Sequence, residues 1–345
     1  MKAVVREIAI HLPERVVTNA DLGRDNPSWD MNAIVEKAGV MSRRIAGESE
    51  TAFDLSRIAC EKLLGKAGIS KDTVDGLICC TQSPDYVMPS NSHLLHGALG
   101  LPDSVLAFDF NLACSGYVYG TALAASLIES GVAENIILVT ADTYSKHIHP
   151  KDRSARVLFG DGAAASMISG SGDGGRVVGA RLCSRGKDFN KFIVPAGGRR
   201  LPVSEATKVE TTDPSGNTRC AENIQMDGLA VLSFVNSAVP PHVRAFLAEH
   251  DLTLDDVGLF VFHQASKMSL DSLTRILGVP PEKVYINMEQ TGNLVSASIP
   301  VALADALQRG LIRRETTVLL CGFGVGLSYG SVLLRYGNTA LSQPV

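Results

Sequence analysis

The sequence predicts an α/β protein built from two copies of one unit, and two observations predict it. Strand-like apolar runs alternate with small-residue helical stretches along the chain, the pattern of α/β folds. Three segments of the first half also recur in the second, in the same order: residues 74–82 match 257–264, residues 134–140 match 315–321, and residues 159–165 match 323–329. Strands resemble one another, but a shared order points to internal duplication. The two units run over 1–175 and 176–345. The join at Gly170-Ser171-Gly172-Asp173-Gly174-Gly175 lacks the Lys-Ser/Thr ending of a phosphate loop and reads as a turn.

Composition narrows the function classes. The 345 residues are 45% hydrophobic and 20% charged, with a net charge of −4 and no basic tract. Nucleic acid and anionic membrane are therefore not expected partners. No apolar stretch reaches the roughly 18 residues of a membrane span. The opening Met1-Lys2-Ala3-Val4-Val5-Arg6-Glu7 is broken by charge, unlike a signal peptide. Seven cysteines, an odd number, lie mostly in apolar runs, which predicts reduced thiols and a cytoplasmic location. The stretch 195–218, rich in Pro, Gly and Thr, reads as an inserted flap over a pocket.

The chemistry starts at Cys114. An apolar run ends in Phe108-Asp109-Phe110-Asn111-Leu112-Ala113-Cys114-Ser115-Gly116, and a small-residue helical stretch follows at once. A thiol at that junction sits by free helix N–H groups, which predicts a favoured thiolate and an acyl-accepting nucleophile. A buried cysteine alone is more often inert packing. His263, ending the strand Leu259-Phe260-Val261-Phe262, and Asn293, in Thr291-Gly292-Asn293-Leu294-Val295-Ser296-Ala297-Ser298, add two neutral groups able to donate to a carbonyl oxygen. Asp161, in Gly160-Asp161-Gly162, fixes a tight turn. The pairs His93/His96 and His147/His149 lack the companions a metal site needs, so no metal is expected.

These residues resemble the β-ketoacyl-acyl carrier protein synthase III group of the thiolase superfamily. The resemblance runs nearly end to end, through residues 12–22, Ser42-Arg43-Arg44-Ile45-Ala46, Ala113-Cys114-Ser115-Gly116, Phe159-Gly160-Asp161-Gly162-Ala163, His263-Gln264-Ala265, Gly292-Asn293 and Gly322-Phe323-Gly324-Val325-Gly326. It implies a thiolase-like five-layer αβαβα fold working as a homodimer. Cys114 would accept an acyl group from coenzyme A or an acyl carrier protein. His263 and Asn293 would hold the malonyl thioester during decarboxylation, and the N–H groups of Cys114 and Val325 would form the oxyanion hole. The substrates would be acyl-CoA and acyl carrier protein, with no metal or redox cofactor. The alternative is an acyltransferase of the same fold that serves an oxygen or nitrogen nucleophile; Asn293 favours carbon–carbon bond formation.

Several positions depart from the family pattern. The Trp and Arg that clamp the adenine of coenzyme A in housekeeping members correspond to Ala33 and Lys37. Trp29 lies four residues early and substitutes only if the loop shifts. Arg153 keeps a phosphate-contacting role. Leu229 replaces an asparagine on the pantetheine path, and Ser266 replaces the asparagine after His-Gln-Ala. Met88 falls where a family residue crosses a dimer interface into the neighbour's acyl pocket; it either lines that pocket or packs the interface. The substitutions favour loading from a carrier protein or an unusual acyl-CoA, in specialised lipid or polyketide-type synthesis, with ordinary fatty-acid initiation as the alternative.

Overall fold

The computed structural model describes residues 2–66 and 69–337. Among them, nine strands form one mixed sheet: β1 (Val4–His11), β2 (Gly76–Cys80), β3 (Leu106–Phe110), β4 (Asn135–Asp142), β5 (Gly162–Ser169), β6 (Gly175–Ser184), β7 (Leu259–Phe262), β8 (Thr317–Gly324) and β9 (Ser328–Tyr336). Their order across the sheet is β7-β8-β9-β6-β1-β5-β4-β2-β3. Going outward from the centre, β1-β5-β4-β2 and β6-β9-β8-β7 show the same sequence of pairings: antiparallel, antiparallel, then parallel. The first half adds β3, parallel to β2; at the corresponding place in the second half stands a single parallel bridge between Phe260 and Val284.

The longer helices are α1 (Met31–Ala38), α2 (Ala52–Leu64), α3 (Asn91–Leu99), α4 (Gly116–Glu129), α5 (Gly228–Ala248), α6 (Lys267–Leu277) and α7 (Ser298–Gln308). Helix α4 touches β2, β4 and β5 on one side and β6, β8 and β9 on the other; α7 also contacts strands of both halves. These two helices therefore form the central layer. Helices α2 and α3 cover one outer face, and α5 and α6 the other. The result is the thiolase-like five-layer αβαβα arrangement.

Period-two alternation divides each strand between layers. In β4, Ile136 and Leu138 face the central helices, while Ile137 and Val139 face the outer ones. In β8, Val318 and Leu320 face the centre and Leu319 and Cys321 face outward. The sequence match of 134–140 with 315–321 is therefore one residue out of register, since a shift by one exchanges the faces of a strand.

Small residues let α4 lie close on the first half. A Cβ added at Gly116 would meet the Cys80 sulfur at 2.3 Å, and one at Gly120 would meet Leu138 Cδ1 at 2.5 Å. Gly116→Ala is expected to destabilise the protein by roughly 1–3 kcal/mol through overpacking. Adding Cys80→Ala should recover part of that loss in denaturant titrations, because it removes the atom that collides.

Candidate active site

The carboxyl ends of strands from both halves bring the three candidate residues together. Cys114 sits between β3 and α4, His263 directly follows β7, and Asn293 precedes α7. All three line one cavity of about 630 Å³, walled by Phe159, Phe192, Val235 and Phe323 among others. They are nearly dry, at 4%, 1% and 4% exposure respectively.

Glycines in β8 permit this assembly. A Cβ at Gly324 would lie 2.7 Å from both Cβ and Sγ of Cys114, and one at Gly322 would lie 2.7 Å from Ser115 Cα. The strand thus runs bare backbone against the turn that carries the thiol. The backbone N–H groups of Val325 and of Cys114 itself lie near enough to the sulfur to favour its charged form. The expected thiolate is not favoured, however. Burial pushes the Cys114 thiol up to about 12, the two N–H groups offset this only in part, and the Asp142 charge adds to the rise. The first helical N–H, that of Gly116, is taken by the Ala113 carbonyl at 2.7 Å.

His263 is tied to β8 by its backbone N–H, which donates to the Cys321 carbonyl at 2.8 Å. Its ring meets Phe323 edge-on at 5.8 Å. Burial lowers its pKa to about 3, so the imidazole is neutral. Its Nδ1 has no hydrogen-bond partner among the described residues. The Asn293 amide has a defined orientation. Its Oδ1 accepts the Val295 N–H at 2.9 Å and the Ser298 hydroxyl at 3.4 Å. That turns Nδ2 toward His263 Nε2, at 3.3 Å, and the Ala265 carbonyl, at 3.4 Å. With the imidazole proton on Nε2, both nitrogens are neutral donors available to one acceptor oxygen.

Lys37, Arg153, Leu229 and Ser266 line the same cavity, as do Ala33 and Asp30. Arg153 donates to the Ser215 carbonyl at 3.3 Å. Leu229 is 81% exposed. The Ser266 hydroxyl accepts the Ser269 N–H at 3.2 Å, so it caps α6. Trp29 packs against the core cluster that holds Leu22, Cys114 and Phe260, and it is not among the residues that line the cavity. Met88 is 77% exposed and stands apart from this chain's cavity. Residues 160–161 form no tight turn; Asp161 instead ties its segment to two others by accepting the N–H groups of Ala46 (2.8 Å) and Ser145 (3.0 Å).

The 195–218 stretch is a pinned wall rather than a free flap. Its hairpin pairs Thr211–Thr212 with Thr218–Arg219 and places Asp213, Ser215, Asn217 and Arg219 in the cavity lining. Arg219 holds it down through Asp152 at 2.6 Å and Asp213 at 3.2 Å. The sequence places this stretch over a pocket but does not show the ion pair that pins it, because Asp152 and Arg219 lie far apart along the chain. Asp142, buried beside the Asn293 loop, was missed for the same reason.

Known proteins resemble this chain along most of its length. Residues 108–186 match the family model for 3-oxoacyl-[acyl-carrier-protein] synthase III, and residues 247–336 match the one for its C-terminal part. The β-ketoacyl-[acyl-carrier-protein] synthase III of Symbiobacterium thermophilum is 34% identical over 331 residues, covering 96% of this chain and 97% of that protein. The chain belongs to the β-ketoacyl-[acyl-carrier-protein] synthase III family. A crystal structure of a 3-oxoacyl-(acyl-carrier-protein) synthase III superimposes with a TM-score of 0.94 at 40% identity, covering 97% of this chain and 99% of that one. The priming β-ketosynthase of a polyketide biosynthetic pathway gives a TM-score of 0.84 at 29% identity, covering 98% and 97%. Membership makes this synthase III relative an acyltransferase-type enzyme.

A thiol titrating near 12 has a thiolate fraction that grows about tenfold per pH unit across the neutral range. Alkylation of Cys114 by iodoacetamide should therefore keep accelerating from pH 7 to pH 9. A plateau below pH 8 would show a low-pKa thiolate instead.

Proposed function

We propose that the protein catalyses a decarboxylative Claisen condensation. The carrying observation is the grouping of Cys114, His263 and Asn293, each nearly buried, on one cavity, with the His263 imidazole neutral beside an Asn293 amide turned to donate. The Cys114 sulfur attacks the donor thioester. The thioester C–S bond breaks, and the thiol proton leaves with the departing thiolate. The N–H groups of Cys114 and Val325 hold the developing oxyanion. A malonyl thioester then places its carbonyl oxygen between His263 Nε2 and Asn293 Nδ2. Its carboxylate leaves as carbon dioxide, the bonding pair becomes an enolate, and the enolate carbon attacks the acyl carbonyl. The bond to Cys114 breaks, the β-ketoacyl thioester departs, and the sulfur regains a proton. Neutral donors suit this step, because they stabilise the enolate without protonating it.

The same reading takes an acyl carrier protein as partner, a homodimer as the working form, the cytoplasm as location, and acyl-CoA or acyl carrier protein as substrates without a metal or redox group. Among the described residues no helix is long and apolar enough to cross a membrane. The units 1–175 and 176–345 are read as duplicated halves, supported by the repeated strand order; one supplies the nucleophile and the other the two donors. Loading from a carrier protein is favoured by the cavity lining, with an unusual acyl-CoA as the other candidate donor. Lys37, Arg153 and Arg219 are matched there by Asp30, Asp213 and Asp227, and Arg219 is already paired. The polyanionic nucleotide of coenzyme A meets little excess positive charge.

Intact-protein mass spectrometry after mixing with acyl-CoAs and acyl carrier proteins tests the nucleophile. An acyl adduct is expected on the wild type and absent from Cys114→Ala. Asn293→Ala should still form the adduct but lose roughly 100-fold or more in malonyl decarboxylation, the scale of one deleted oxyanion donor. No adduct from any donor on a folded protein would overturn the reading. An adduct discharged to a hydroxyl or amine without carbon dioxide release would establish the acyltransferase alternative.

A further inference from the structure

We propose that Asp142 is a positioning residue for the condensation, clamping the strained turn that aims the Asn293 amide. The proposal rests on the reading of Asn293 given above and goes beyond it.

Asp142 ends β4 and is fully buried. Its carboxyl group accepts three hydrogen bonds from two places in the chain. Oδ1 takes the Gln82 N–H at 2.8 Å, and Oδ2 takes the Ser296 N–H at 3.2 Å and the Ser296 hydroxyl. Three donors converging on one carboxyl group suit the ionised form, which only accepts. Burial opposes ionisation and the donors favour it, leaving the pKa raised to about 7.

What the carboxylate grips is unusual backbone. Val295, one residue before Ser296, has φ of +55°, a conformation that a β-branched residue adopts only when its surroundings impose it. The Val295 N–H is the donor that fixes Asn293 Oδ1, at 2.9 Å. The orientation of Asn293 Nδ2 toward His263 thus depends on a strained residue, and Asp142 holds the next residue at two points. The other end of the clamp reaches the nucleophile's loop. Gln82, whose N–H Asp142 accepts, donates from Nε2 to Asn111 Oδ1 at 2.7 Å, three residues before Cys114. Asp142 therefore links the loop that carries the nucleophile to the loop that carries the donor, and it touches neither reacting group.

The charge also raises the Cys114 pKa, so its removal has two effects of opposite sign. Asp142→Asn turns an NH₂ group toward donors that need an acceptor. The expected outcome is a loss of roughly 10- to 100-fold in malonyl decarboxylation, with Cys114 alkylation by iodoacetamide unchanged or faster. General loosening of the fold would also speed alkylation of the buried Cys114, so the rates are read together with the structure of the variant. Ser296→Ala, which deletes one of the two Ser296 bonds and keeps the charge, should lose less decarboxylation and leave alkylation unchanged; it carries the test if Asp142→Asn fails to fold. The crystal structure of either variant gives a readout independent of turnover. Val295 relaxed to negative φ, with the Asn293 amide turned from His263, supports the clamp. An unaltered Val295–Asn293 geometry, or equal wild-type and variant decarboxylation rates, overturns it. Wild-type protein that releases no carbon dioxide from malonyl thioester would instead refute the condensation reading, and the crystallographic comparison would still decide the clamp.

Discussion

The site depends on a backbone contact between the two halves of the molecule. Strand β8 passes the Cys114 turn with no side chain in between, because Gly322 and Gly324 leave room that any Cβ would take up. That contact brings the Val325 backbone N–H near the sulfur. It also carries Cys321, whose carbonyl anchors the His263 backbone, and Phe323, against whose ring the imidazole is set edge-on. The nucleophile from one half and the donors from the other are therefore registered by one strand rather than by flexible loops.

Burial then sets the chemistry. The same desolvation that keeps Cys114 protonated keeps His263 neutral. A site with charged groups here would protonate an enolate or bind the malonyl carboxylate too firmly to release it. Instead the cavity presents N–H donors of fixed direction, which cost no reorganisation when charge develops. Orientation comes from outside the cavity: Val295 and Ser298 fix the Asn293 amide, and Asp142 holds the turn beneath it.

The legible part of the sequence was what local pattern encodes. The alternation of strand and helix, the ordered repeats, and Cys114, His263 and Asn293 in their short motifs all lie within a few residues of the features that betray them. The charge state of Cys114 was not legible, because helix position favours a thiolate and only the assembled core reveals the desolvation that wins. The repeat 134–140 was aligned one residue off, since Ile136-Ile137-Leu138-Val139 is apolar on both faces and alternation cannot set its phase. The Arg219–Asp152 wall and the Asp142–Ser296 clamp join residues 67 and 154 positions apart, and nothing in either local segment marks the partner.

The most direct test of the central claim is a single turnover of enzyme already acylated on Cys114, mixed with malonyl-acyl carrier protein and followed for carbon dioxide and product together. The structure predicts one carbon dioxide for each β-ketoacyl-carrier product, formed as the Cys114 adduct disappears. Loss of the adduct to free acid or to another nucleophile, with the malonyl group intact, would contradict an enolate site built from His263 and Asn293.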